Sequence, residues 1–149
     1  MRVAVALLLT AVQAIATGQA FSGTWILDPS RSALYPGGAR ELELIVVDDR
    51  STIQLTERRP SREDQYSLPL DGKPHEHTAG GARYTRTLRR DNGVLLWTVT
   101  MIRIADNASI SYTERWSLSD GGRTLTIYSA YPGTQDVVKV FAKKLKSTM

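Results

Sequence analysis

The chain has 149 residues, no cysteine, two histidines and a formal charge of +4, from 19 Lys and Arg against 15 Asp and Glu. That excludes a disulfide framework and thiol chemistry, and the length fits one domain able to bury its own core. The basic residues are dispersed among acidic ones, as at Arg58-Arg59, Arg89-Arg90 and Lys143-Lys144, which argues against a phosphate-tracking stripe and against nucleic-acid binding.

Residues 1–20 carry Arg2 followed by an apolar run from Val3 to Val12. The run falls well short of the roughly 20 residues a membrane-spanning helix needs, so it predicts a cleavable export signal and no anchor. Cleavage fits after Ala16 or after Ala20, and the strand pattern from Phe21 favours the second. The expected mature domain is 21–149, without a transmembrane segment, in the periplasm or outside the cell. Its formal charge is +3, because Arg2 is the sole charged residue before Asp28.

From Phe21 onward, short segments rich in Val, Ile, Thr, Tyr and Trp alternate apolar and polar residues and stop at Gly, Asp or Asn. Strands are predicted near 21–27, 40–47, 51–58, 62–69, 82–90, 94–105, 108–119, 123–131 and 136–143. Leu70 to Gly81, with Asp71-Gly72 and Gly80-Gly81, reads as a long loop. No window shows a helical stripe. The pattern predicts an all-β, up-and-down antiparallel barrel of about 8–9 strands, with a β-sandwich as the alternative.

Three turns set the expected register. Asn92-Gly93 suits a two-residue turn with positive φ at both positions, which places Leu88 opposite Trp97, Arg86 opposite Val99 and Tyr84 opposite Met101. A two-residue turn at Asp106-Asn107 would set Met101 against Tyr112, Val99 against Glu114 and Trp97 against Trp116. A third at Asp49-Arg50 would set Val46 against Ile53 and Leu44 against Leu55. The opposite face reads Arg83, Thr85, Thr87, Thr98, Thr100, Ser111 and Thr113, a solvent face.

Gly23-Thr24-Trp25 resembles the Gly-x-Trp signature at the first strand of lipocalins and the wider calycin group. The resemblance implies a barrel whose Trp plugs one end beneath a basic residue of the last strand, here Lys143 or Lys144. The chain is also similar, over roughly Phe21 to Lys144, to small exported bacterial lipocalin-like proteins of unknown function. Gly-Thr-Trp-Ile-Leu-Asp, Leu-Asp-Gly-Lys and Ser-Leu-Ser-Asp-Gly-Gly-Arg-Thr-Leu carry that similarity. The chain departs from lipocalins in having no Thr-Asp-Tyr signature, no disulfide and no helical segment before the last strand. Ligand transport of the lipocalin kind therefore does not follow from the signature.

The predicted register puts Arg86, Val99 and Glu114 in one row on the inward face, among Tyr84, Leu88, Trp97, Met101, Tyr112 and Trp116. Strands lie about 4.8 Å apart, so Arg86 and Glu114 would be within reach over the small Val. A carboxylate alone in an apolar interior is costly or becomes protonated, so a buried Arg86–Glu114 pair is the structural expectation. The functional expectation is a cavity in which Arg86 and Arg103 offer cationic donors to a partly apolar, anionic small molecule held by Tyr84, Trp97, Tyr112 and Trp116. His75 and His77 share a face in an extended segment and form the one histidine cluster, yet two ligands do not make a metal site.

No Gly-x-Ser-x-Gly elbow, phosphate loop or convincing carboxylate pair is present, so neither a catalytic residue nor a cofactor is assigned. Three readings follow. The first is an exported binding barrel for a small molecule. The second is an isomerase, cyclase or hydratase using Glu114 as acid or base with Arg86 or Tyr112 polarising the substrate. The third is a solid-cored interaction module gripping a partner through rim loops such as Ser30 to Gly38 or Leu70 to Gly81.

Overall fold

The computed structural model describes residues 20–146. The predicted export signal lies outside the described residues, apart from Ala20. Ten strands follow: β1 (Gly23–Leu27), β2 (Glu43–Asp48), β3 (Thr52–Arg59), β4 (Arg62–Pro69), β5 (His75–Ala79), β6 (Ala82–Asp91), β7 (Val94–Arg103), β8 (Ser109–Ser119), β9 (Thr124–Ala130) and β10 (Val137–Lys143). They form one antiparallel sheet in the order β4-β3-β2-β1-β10-β9-β8-β7-β6-β5. The first and last strands pair, Trp25 opposite Lys143, and the sheet curls into a barrel with one seam, between β4 and β5. The sandwich alternative does not form.

Period-two alternation decides what faces inward. Phe21, Trp25, Leu88, Leu95, Leu125 and Phe141 have no exposed surface, and Trp97 and Trp116 stack with ring centroids 5.0 Å apart. Each large apolar side chain so buried stabilises the fold by about 1.5–3 kcal/mol. These residues fill the end of the barrel where β1 starts, so the core is concentrated in that half.

The family-type signature is built as the resemblance implied. Trp25 is fully buried and its Nε1 donates to the Phe21 carbonyl at 3.0 Å. Lys143 Nζ lies 5.5 Å from the Trp25 ring centroid. Gly23 takes φ +147, a conformation that L side chains rarely adopt, and a Cβ there would stand 2.8 Å from Lys143 Cε and displace the end of that side chain.

Turn chemistry explains where the expected register holds and where it shifts. Asn92 and Gly93 both take positive φ, 49° and 78°, and every pairing read from them stands, including Arg86 opposite Val99. The other two turns are wider. Asp49 Oδ1 accepts from the backbone N–H groups of Ser51 and Thr52, opening the β2–β3 turn so that Val46 meets Leu55 and Asp48 meets Ile53. Asp106 Oδ1 accepts from Ala108 N–H while Arg103 N–H donates to the Ala108 carbonyl. As a result Met101 meets Ile110, Val99 meets Tyr112 and Trp97 meets Glu114. Each shift is two residues, so the strands slide without turning over.

The segment Leu70 to Gly81 is not the predicted loop throughout. His75 to Ala79 form the edge strand β5, and Gly80-Gly81, both at positive φ, turn it into β6 with Ala79 opposite Ala82. The polar sequence His-Glu-His-Thr-Ala hides this strand from an apolar-alternation search, because its inward side faces polar groups.

Candidate ligand-binding site

Towards the other end, around the β3–β4 and β5–β6 turns, the interior is hollow. A cavity of about 250 Å³ is lined from β3 and β4 by Glu57, Arg59, Arg62, Asp64 and Tyr66, from β5 by His77 and Ala79, and from β6 by Tyr84 and Arg86. The wall is completed by Val99 of β7, Tyr112 and Glu114 of β8, Tyr131 after β9 and Lys139 of β10. All of these side chains sit on the inward parity of their strands.

Arg86 is held by aromatic faces. Its guanidinium carbon lies 4.2 Å from the Tyr66 ring centroid and 4.4 Å from that of Tyr84. Tyr66 belongs to β4 and Arg86 to β6, so this contact spans the seam where backbone pairing is missing. Among the described residues Arg86 forms no ion pair, and neither does Lys139. The two other cavity cations are paired: Arg59 Nη1 with Glu57 at 3.0 Å and Arg62 Nε with Asp64 at 2.8 Å.

The expected Arg86–Glu114 ion pair is not formed. With the β7–β8 register moved by two residues, Tyr112 occupies the row of Arg86, and Glu114 lies opposite Trp97 and Ser129. Glu114 Oε2 instead accepts from Ser129 Oγ at 3.0 Å. Burial raises the Glu114 pKa, opposed by the charge of Lys139 and by the Ser129 hydrogen bond. Burial also raises the phenol pKa values of Tyr66, Tyr112 and Tyr131, so these hydroxyls are donors at neutral pH.

Of the other expected site residues, Tyr84 and Tyr112 line the cavity. Trp97 and Trp116 do not: each is 2% exposed within the apolar core, and their Nε1 atoms are buried without a hydrogen-bond partner. Arg103 does not either, because it stands beyond the rim with its side chain 61% exposed and pairs with Asp106 at 3.0 Å. His77 faces the cavity, 6.1 Å from the Tyr66 ring, whereas His75 pairs with Asp71 at 3.0 Å. Among the described residues no group of three His, Asp or Glu side chains is placed to hold a metal ion. In the rim segment from Ser30 to Gly38, Ala33 bridges to Val138 and the Tyr35 hydroxyl donates to the Gln135 carbonyl at 3.0 Å.

The sequence reading missed Tyr66, Glu57, Arg59, Asp64, Tyr131 and Lys139. Glu57, Arg59, Asp64 and Tyr66 lie on β3 and β4, where the inward side turns from apolar to charged towards the turn and reads as a solvated strand end. The available signal was parity: Glu57 and Arg59 continue the inward series of Ile53 and Leu55.

No protein-family model and no curated protein matches the chain. Solved structures do. The fatty-acid-binding protein 1 of Echinococcus granulosus superposes with a TM-score of 0.65 at 14% identity, covering 85% of this chain and 98% of that one. The REP1-NXSQ fatty acid transporter gives 0.66 at 11% identity, covering 85% and 97%. A secretory abundant heat soluble protein of Ramazzottius varieornatus gives 0.67 at 12% identity, covering 86% and 98%. At such identities the likeness is one of fold: the protein shares the antiparallel β-barrel architecture of these three structures.

Proposed function

We propose that this protein is an exported barrel that binds a small organic anion in the cavity between Arg86, Glu114 and Lys139. The observation that carries the reading is Arg86, an inward cation clamped by two aromatic rings and without a carboxylate partner among the described residues. An arginine so held is preorganised for a carboxylate or similar group, since its rotamer freedom is already lost. Two similar barrels carry fatty acid in their names, which supports a carboxylate as the head group. Export rests on the pattern of residues 1–20, and N-terminal sequencing of the protein from its host tests it.

Titration of small carboxylates, followed by tryptophan fluorescence and calorimetry, tests the binding reading. Arg86→Met is expected to weaken binding by about 10- to 100-fold, the scale of a charged hydrogen bond, with melting nearly unchanged. Absence of any binding by the parent, or equal binding by the variant, overturns it. A second reading, an enzyme using Glu114 as general acid, is favoured by the burial that raises the pKa of this carboxyl on the cavity wall. It predicts that Glu114→Gln binds the same ligand and stops its conversion.

A further inference from the structure

The chemistry of the walls narrows the ligand class beyond a small anion, and this inference rests on the binding reading above. Three observations act together. The first is volume. About 250 Å³ lies below the roughly 300–1,000 Å³ typical of drug-sized pockets. Inward from the cavity, the interior is filled by the stacked Trp97 and Trp116 and by buried Leu88 and Phe141.

The second is lining. Val99 and Ala79 are the two aliphatic side chains on the cavity wall, whereas Tyr66, Tyr84, Tyr112 and Tyr131 all reach it. Tyr112 and Tyr131 lie with centroids 4.7 Å apart at 30°, and the wall therefore offers ring faces and edges in offset orientations that suit another aromatic ring better than a flexible chain. The third is donors. Arg86 and Lys139 supply two cations, and the phenols supply neutral hydroxyls, so the site offers hydrogen bonds at more than one point around a compact molecule.

From these we infer that the cavity takes a single-ring aromatic carboxylate bearing a further polar substituent. A wall with two aliphatic side chains gives the tail of a long-chain fatty acid little to pack against. The carboxylate meets Arg86 and Lys139, and the ring packs among the tyrosines.

The test is a calorimetric panel on the intact barrel: 4-hydroxybenzoate, 4-hydroxybenzyl alcohol, octanoate and hexadecanoate. 4-Hydroxybenzoate and octanoate have the same heavy-atom count, so their comparison isolates the ring. The expected order is 4-hydroxybenzoate tightest, at least tenfold over octanoate and over the alcohol, with no heat from hexadecanoate. Octanoate binding as well as 4-hydroxybenzoate, or tight binding of hexadecanoate, overturns the aromatic assignment and leaves the anion-binding reading standing. Equal binding of the alcohol shows that charge is not recognised and overturns both. Silence from the whole panel, with no small molecule retained in native mass spectrometry of host-purified protein, also overturns both. Lys139→Met, which keeps the aliphatic stem, is expected to cost several-fold for 4-hydroxybenzoate and nothing for the alcohol. Unchanged 4-hydroxybenzoate affinity in that variant contradicts the placement of the carboxylate.

Discussion

Arg90 Nη2 donates to Asp48 Oδ1 at 2.7 Å, joining β6 to β2 across the filled end of the barrel. Asp48 is 1% exposed, and its Oδ2 has no partner. This is the ion pair that ties opposite walls together, in place of the expected Arg86–Glu114 pair. Arg90 also lies 5.9 Å from the Phe21 ring centroid, beneath which the chain enters β1.

Removing one member of a buried pair strands the other. Arg90→Leu is therefore expected to destabilise the fold by about 3–5 kcal/mol in urea denaturation, and the double variant Asp48→Leu/Arg90→Leu by much less. Additive losses in the two single variants and the double would show that the pair acts as two independent groups.

Glu114 makes stability depend on pH in the opposite sense to a paired surface carboxylate. Its folded pKa is raised, so the native state holds the proton more tightly than the unfolded chain, where Glu titrates near about 4.3. Its contribution is complete below that unfolded value and is lost as pH rises through the folded one. Glu114→Gln keeps an acceptor for Ser129 and removes the titration. The variant is expected to match the parent near pH 4 and exceed it at pH 7 to 8, by about 1.4 kcal/mol per unit of displacement. Parallel pH–melting curves would refute this.

Gly23→Ala places a methyl group where Lys143 Cε passes, on backbone at φ +147 that alanine resists. A loss of about 2 kcal/mol is expected, with altered Trp25 fluorescence as Lys143 is displaced. If Gly23→Ala/Lys143→Ala melts no higher than Gly23→Ala alone, steric exclusion is not the reason for glycine.

Trp25 and Trp116 should respond differently to phenylalanine. Trp25→Phe loses the hydrogen bond to Phe21 and the face beneath Lys143, and a cost of about 2 kcal/mol or more is expected. Trp116→Phe removes an indole N–H that has no partner, which offsets part of the lost packing, so the expected cost is smaller. Thermal melts of the two variants check the ranking, and a reversed order contradicts it.

Arg86, Glu114, Tyr84 and Tyr112 were legible as inward residues because a strand alternates sides with period two. An error of two residues in a turn moves partners along the strand and never flips the face. The errors lay in partner identity, since Asp49 and Asp106 each capture backbone N–H groups and widen their turns. That choice is invisible in a dipeptide signal such as Asp-Asn. Trp97 and Trp116 lie in the solid core and not on the cavity wall for a related reason: inward is a property of parity, but core or cavity depends on height in the barrel.

By itself, then, the sequence determined an all-β chain, the wet and dry faces of nearly every strand and the Asn92-Gly93 hairpin, because alternation and turn propensity are local; the Gly-x-Trp resemblance implied a basic residue over Trp25, and the β1–β10 pairing chose Lys143 over Lys144. The seam between β4 and β5, the strand hidden in His75 to Ala79, the Asp48–Arg90 tie and the division of the interior into solid and hollow halves were decided by tertiary structure. Those features depend on which strands meet after the sheet has curled, and groups 42 residues apart, as Asp48 and Arg90 are, carry no mark of their meeting in the chain itself.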